Sequence, residues 1–149
     1  MENLKVNKNY FAYAAWGAAL AAMAGSLYFS EVLNLTPCVL CWYQRILMYP
    51  LVIIIPVGIL GTEKKFYRYV LPFSILGMTV ALYHYLLYIG VIAENFSPCS
   101  NGVSCTARLI EWFGFINIPL LSLASFAIIT LSMLFYRNRE LRTAPRIKF

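Results

Sequence analysis

The most specific chemistry in this 149-residue chain sits in the run Pro37-Cys38-Val39-Leu40-Cys41-Trp42-Tyr43-Gln44-Arg45. Two cysteines three positions apart can close a small disulfide ring. A helix starting at such a pair aims unpaired backbone N–H groups at the sulfurs, which favours the thiolate and so disulfide exchange. Arg45 follows Cys41 by four residues, one helical turn onward on the same face, and brings a permanent positive charge near the second sulfur. The other two cysteines, Cys99 and Cys105, also form a local pair. Two dithiols in one chain can relay two electrons by successive exchanges, provided a terminal acceptor is at hand.

The elements that must position these residues are membrane helices. The chain is 61% hydrophobic and 12% charged, far from an average soluble domain. Four apolar stretches, at residues 11–29, 43–61, 69–92 and 115–136, are long enough to cross roughly 30 Å of hydrocarbon at about 1.5 Å per residue. The expected fold is therefore an all-α four-transmembrane-helix bundle forming a single integral membrane domain over residues 1–149. A basic tail at 137–149 is expected to be solvated and mobile. Pro50, Pro56 and Pro119 fall inside or near the ends of the spans and predict kinks whose freed backbone groups neighbouring helices can satisfy. Gly17, Ala18, Ala21, Ala22, Gly25 and Ser26 make one side of the first span small, which predicts close helix packing there and no binding role.

Ten of the twelve basic residues flank the spans on one side: Lys5, Lys8, Lys64, Lys65, Arg68, Arg137, Arg139, Arg142, Arg146 and Lys148. Basic residues in short connections stay cytoplasmic, so both termini are expected in the cytoplasm, with Arg45 and Arg108 near the outer side. The net charge of +6 is then accounted for by retention signals and anionic lipid, which removes the reason to expect a nucleic-acid partner. A cleaved signal peptide ending at Ala22-Met23-Ala24 is the competing reading, but the apolar run continues through Phe29. All four cysteines map to the two outer loops, in a compartment that permits disulfides. The second outer loop, around Ser97-Pro98-Cys99-Ser100-Asn101-Gly102, is rich in turn formers and expected to lack long regular structure.

For the acceptor, the chain offers no aspartate, one histidine, no glycine-rich nucleotide fingerprint and no Cys-x-x-Cys-His, so flavin, nicotinamide and haem sites are not indicated. A lipid-soluble quinone fits a membrane dithiol. It is expected to lie against Trp42, Tyr43 and Arg45, where an aromatic wall and a cation stabilise developing negative charge. His84 lies in the third span among Tyr83, Tyr85 and Tyr88. An ionisable group there points either to a proton relay or quinone contact, or to a neutral packing histidine. Arg45 has a blander reading as a snorkelling anchor, and each cysteine pair as a structural bridge. A four-cysteine zinc site fits poorly, because the gap in the second pair exceeds the usual two to four residues, so no metal is expected.

Pro-Cys-Val-Leu-Cys followed by aromatic-Tyr-x-Arg, in a four-span chain with a second outer cysteine pair, resembles the DsbB family, in particular its short-loop, BdbC-type members. The resemblance covers about residues 10–137. It implies a quinone-dependent oxidase of the bacterial cell membrane, with ubiquinone or menaquinone as acceptor. The implied donor is an extracytoplasmic thioredoxin-fold protein of the DsbA or BdbD kind, which delivers disulfides to exported proteins. By position in the family pattern, Cys99 is the cysteine attacked by the reduced partner, and Cys105 is its mate, which exchanges with Cys38. Cys41 then faces the quinone, and Arg45 supports its reduction. Two departures stand out: position 44 is Gln where the best-known pattern has Glu, and the loop between Cys99 and Cys105 is short. Two rivals remain. A vitamin-K-epoxide-reductase-like bundle carries its redox motif near the last span, not at the second. A non-enzymatic four-span protein with stapled outer loops would keep its disulfides closed under all conditions.

Overall fold

The computed structural model describes residues 2–61, 65–92 and 117–143, and all the regular structure among them is helical. Helix α1 spans Glu2–Leu27 and runs on into a π-helical turn at Tyr28–Val32. Helix α2 spans Val39–Leu60, α3 Tyr67–Tyr88 and α4 Ile118–Thr143. Each of the four is long and apolar enough to cross a membrane. Cys99, Cys105 and Arg108 lie outside the described residues.

The helices form a ring in which α1 packs on α2 and α4, and α3 packs on α2 and α4. One core runs through its middle, built around Leu51 and Ile55 of α2, Val70 and Ala81 of α3, and Phe126, Ile129 and Met133 of α4. The fully buried α1 residues of this core are Ala12, Ala15 and Ala19, small side chains at helical spacing that let its neighbours approach closely, with Phe11 and Trp16 packed at its edge. Gly77 does the same for α3, since a Cβ at that position would run into the ring of Phe126.

Helix boundaries differ from the hydropathy reading in an instructive way. Helix α2 begins at Val39, four residues before the expected span, which puts Cys41 inside its first turn and makes Cys38 its N-cap. Helix α4 runs on to Thr143 through Arg137, Asn138, Arg139 and Glu140, so the first seven residues of the expected mobile tail are helical. Hydropathy marks only the apolar part of a helix, and these polar residues have adequate helix propensity. The start of α4 is held by Asn117, whose side-chain oxygen accepts from the Leu120 amide at 2.9 Å, with Pro119 placed in the first turn where its missing N–H is harmless.

The prolines are absorbed within continuous helices. Pro56 cannot donate to the carbonyl of Val52, and the indole N–H of Trp16 on α1 donates to that oxygen instead, at 3.1 Å. Trp16 thus acts as the hydrogen-bond substitute for a proline on the neighbouring helix.

Candidate functional site

At one end of the ring the start of α2, the last turns of α3 and the start of α4 meet around the dithiol. Cys38 is in an extended conformation before α2, and its sulfur accepts from the Cys41 amide at 3.3 Å, filling the place a serine or aspartate takes at other helix starts. The two sulfurs lie 2.8 Å apart as thiols. Cys38 is buried against Leu40 of α2 and Leu87 of α3, while Cys41 is half-buried and faces a cavity. The Cys41 thiol beside it holds Cys38 well below the usual thiol pKa, against the opposing effect of burial, and His84 adds to the lowering.

His84 is 3% exposed and stands near the end of α3, with Nε2 at 3.8 Å from the Cys38 sulfur. Its other ring nitrogen is engaged by Gln44, whose amide nitrogen lies 3.0 Å from Nδ1. Donation from that amide leaves the imidazole proton on Nε2, directed at Cys38. Rotation of the amide by half a turn presents its oxygen instead and reverses the tautomer. Gln44, His84 and Cys38 thus form a chain of three buried side chains from α2 through α3 back to the dithiol.

The cavity beside them has a volume of about 320 Å³. Cys41, Arg45 and Tyr49 line it from α2, Ile118 and Ser122 from α4, and Ala21, Ala22, Gly25 and Ser26 from α1. Of the small residues expected to pack closely, Ala18 borders the core, Gly17 is exposed, and Ala21, Ala22, Gly25 and Ser26 line this cavity, while the close packing comes from Ala12, Ala15 and Ala19. The expectation of close packing along the whole stripe is corrected accordingly. Nothing lies within contact distance of a Cβ built on Gly25.

Arg45 does not reach toward the sulfurs alone. Its Nη2 donates to the carbonyl of Ser26 at 3.0 Å, near the end of α1, and its guanidinium carbon lies 5.6 Å from the centre of the Trp42 ring. Among the described residues its buried Nε has no partner, nor has the hydroxyl of Tyr49 one turn further along α2. Trp42 and Tyr43, expected as an aromatic wall, are 54% and 51% exposed and do not line the cavity. Successive helical residues are turned by about 100°, so the two positions next to Cys41 face away from it, while positions 45, 48 and 49 return to its side. Sequence reading missed Gln44 as a working residue, and also Tyr49. Both share the face of Cys41 and Arg45, which was the available signal.

The structure brings together Cys38, Cys41, Arg45 and His84 of the expected site residues, and turns Trp42 and Tyr43 outward. Cys38, Cys41 and His84 Nε2 or Nδ1 lie within 4.8 Å of one another. Comparison with known proteins gives the family. The family model "Disulfide bond formation protein DsbB" matches residues 8–136. The chain is 44% identical over 137 residues to "Disulfide bond formation protein C" of Bacillus subtilis, covering 90% of this chain and 97% of that one. It is 45% identical over 126 residues to "Probable disulfide formation protein C" of Halalkalibacterium halodurans, covering 84% and 92%. It is 40% identical over 134 residues to "Probable disulfide formation protein C 1" of Bacillus cereus, covering 89% and 96%. No solved structure matches the chain significantly. A buried, helix-capping dithiol at one end of four membrane-length helices, together with a family match over nearly the whole chain, makes this protein a member of the DsbB disulfide bond formation family.

Proposed function

We propose that this membrane oxidoreductase reoxidises an extracytoplasmic thioredoxin-fold dithiol partner and passes the electrons to quinone, with both termini cytoplasmic and the cysteine loops outside. The observation that carries the reading is the cavity: it opens on Cys41 and holds two buried polar atoms, Arg45 Nε and the Tyr49 hydroxyl, that have no hydrogen-bond partner among the described residues. Buried donors without partners cost stability, and a ligand offering carbonyl oxygens satisfies them. The cavity's largely aliphatic lining and membrane setting suit a quinone head group, which Arg45 and Tyr49 would hold. When bound, a quinone supplies the two-electron acceptor that the chain's own residues lack.

The steps on this chain balance as exchanges between sulfurs. The reduced partner attacks Cys99 of a Cys99–Cys105 disulfide and leaves as an oxidised disulfide, giving two thiols in the outer loop. The Cys105 thiolate attacks Cys38, the Cys38–Cys41 bond breaks, and Cys41 departs as a thiolate on the cavity side. Attack of Cys99 on Cys105 closes the outer pair again and releases Cys38 as a thiolate. His84 is within reach of that sulfur and Gln44 matches either tautomer of the ring, so a proton can be held or returned at Nε2. Two electrons and two protons leave the dithiol for the acceptor as the Cys38–Cys41 bond re-forms. Chain length allows the exchange between Cys105 and Cys38: Ile92, the last described residue before the outer segment, packs against the cluster holding Cys38, and Cys105 follows it by 13 residues, a reach of up to about 45 Å.

Quinone reduction by the purified protein, driven by a small dithiol donor, tests the reading. Turnover abolished by Cys41→Ala and weakened by Arg45→Ala is the expected result. Absence of turnover with both ubiquinone and menaquinone analogues, in protein whose disulfides stay closed under reductant, overturns it.

A further inference from the structure

We propose that the reduced site, through Cys38 Sγ, Cys41 Sγ and His84 Nε2, binds one thiolate-preferring divalent cation of the Zn²⁺ class and is thereby held in its dithiol form. This goes beyond electron transfer to quinone and stands without it. Two sulfurs and one imidazole nitrogen within 4.8 Å of one another form the donor set of a three-ligand zinc site with an open fourth position. Bond lengths of about 2.3 Å to sulfur and about 2.0 Å to nitrogen place tetrahedral ligand atoms about 3.5 to 3.8 Å apart. The distance between the Cys38 sulfur and His84 Nε2, 3.8 Å, already meets that requirement. The sulfurs, at 2.8 Å, must part by about 1 Å, a side-chain adjustment for Cys41, which faces open space.

Three further features favour metal. Gln44 holds Nδ1 of His84, and with its oxygen accepting from Nδ1–H the lone pair of Nε2 points at the sulfurs. A partner on the far nitrogen is the usual support of a metal-bound histidine. The cavity supplies the way in and the fourth coordination place, for water or a small ligand. Charge also selects the valence: with both sulfurs bound as thiolates, a divalent cation leaves a site of zero net charge in a low-dielectric setting, which a monovalent ion would not. No electrons move. The site exists only while the pair is reduced, because the disulfide removes two of the three donors. A loaded site in turn ties up both thiolates and blocks disulfide formation between them.

The test uses the full chain in detergent with Cys99→Ser and Cys105→Ser, so that only the Cys38–Cys41 pair can respond. Zn²⁺ is titrated against a chromophoric chelator before and after oxidation. One ion per reduced chain, none per oxidised chain, and an affinity lowered at least 10-fold by His84→Ala are expected. Zinc-edge X-ray absorption of the loaded protein with the site unmutated, which needs no His84 variant to fold, should read two sulfurs and one imidazole. A sulfur-only shell, or equal affinity with and without His84, reduces the binding to that of any free dithiol and overturns the site. So does stoichiometric binding that survives oxidation.

Discussion

Replacing Gln44 by Leu tests whether the side chain opposite His84 sets the chemistry of Cys38. The two side chains are close in volume, so the core is not emptied, but the bond to His84 Nδ1 at 3.0 Å is lost. A neutral hydrogen bond contributes about 1 kcal/mol, and a buried ring nitrogen stripped of its partner costs about 1 to 3 kcal/mol, so the imidazole turns to find another. Its support for the Cys38 thiolate weakens accordingly. One pKa unit corresponds to about 1.4 kcal/mol, and only the part of the lost bond that differs between thiol and thiolate counts, so a loss of about 1 kcal/mol raises the Cys38 midpoint by at most about 0.7 unit. The larger lowering by the Cys41 thiol remains, and Cys38 stays more acidic than an ordinary cysteine. The sign follows from the direction of the native shift: a depressed thiol is already ionised at pH 6 to 8, and removing one cause of the depression moves ionisation toward the ordinary value of about 8.5.

Site-resolved alkylation of Cys38 by iodoacetamide, followed by mass spectrometry across pH in chelator-treated reduced protein, reads this directly. In the parent the rate should be flat from about pH 6 to 9, where an unshifted thiol gains roughly tenfold per unit up to its pKa near 8.5. Gln44→Leu should shift the falling limb upward, and so should Gln44→Glu, whose carboxylate accepts from Nδ1–H and leaves Nε2 without a proton to offer the thiolate. A limb in the same place in all three proteins refutes the claim that Gln44 acts on Cys38 through His84. A parent rate that falls steadily below pH 8 refutes the native depression itself.

Tyr49→Phe should leave the fold intact or raise its melting temperature, because it deletes a buried hydroxyl without a partner, while weakening the binding of a quinone analogue several-fold in an equilibrium titration. Trp16→Phe should destabilise the bundle by about 0.6 to 1.7 kcal/mol by stranding the Val52 carbonyl, and adding Pro56→Ala should recover most of that by restoring a helical N–H; thermal unfolding of the four proteins of this cycle decides it. Gly77→Ala should lower stability by about 1 to 3 kcal/mol through overpacking against Phe126, with Phe126→Leu as partial rescue in the same assay.

Much of this architecture was legible in the sequence because membrane spans are marked by composition. Four apolar runs gave four helices, and the Cys-x-x-Cys pair fell at a helix start as its placement suggested. The boundaries were less legible, since polar helix formers such as Arg139 and Glu140 carry a helix past the point where hydropathy fades. Trp42 and Tyr43 face away from the cavity, because one helical step carries a side chain about 100° around the axis. The same geometry, applied consistently from Cys41, selects positions 44, 45, 48 and 49, all of which line the cavity.

What no local pattern could supply was the partner of Gln44. His84 lies 40 residues away on another helix, and only the register of α2 against α3 brings its ring between Gln44 and Cys38. This explains why the substitution of Gln for Glu at position 44 read as the loss of one charge. In the fold, position 44 borders the cavity, but its side-chain amide is engaged with a ring nitrogen of His84. A carboxylate there can only accept, which fixes the proton on Nδ1, whereas the amide of Gln44 can donate or accept by turning over. The short-loop chain thus carries at this position a side chain compatible with both tautomers of a histidine that stands beside a sulfur cycling between thiol and disulfide. The chemical freedom lies in the orientation of an amide, which is fixed by neither its residue type nor its spacing from Cys41.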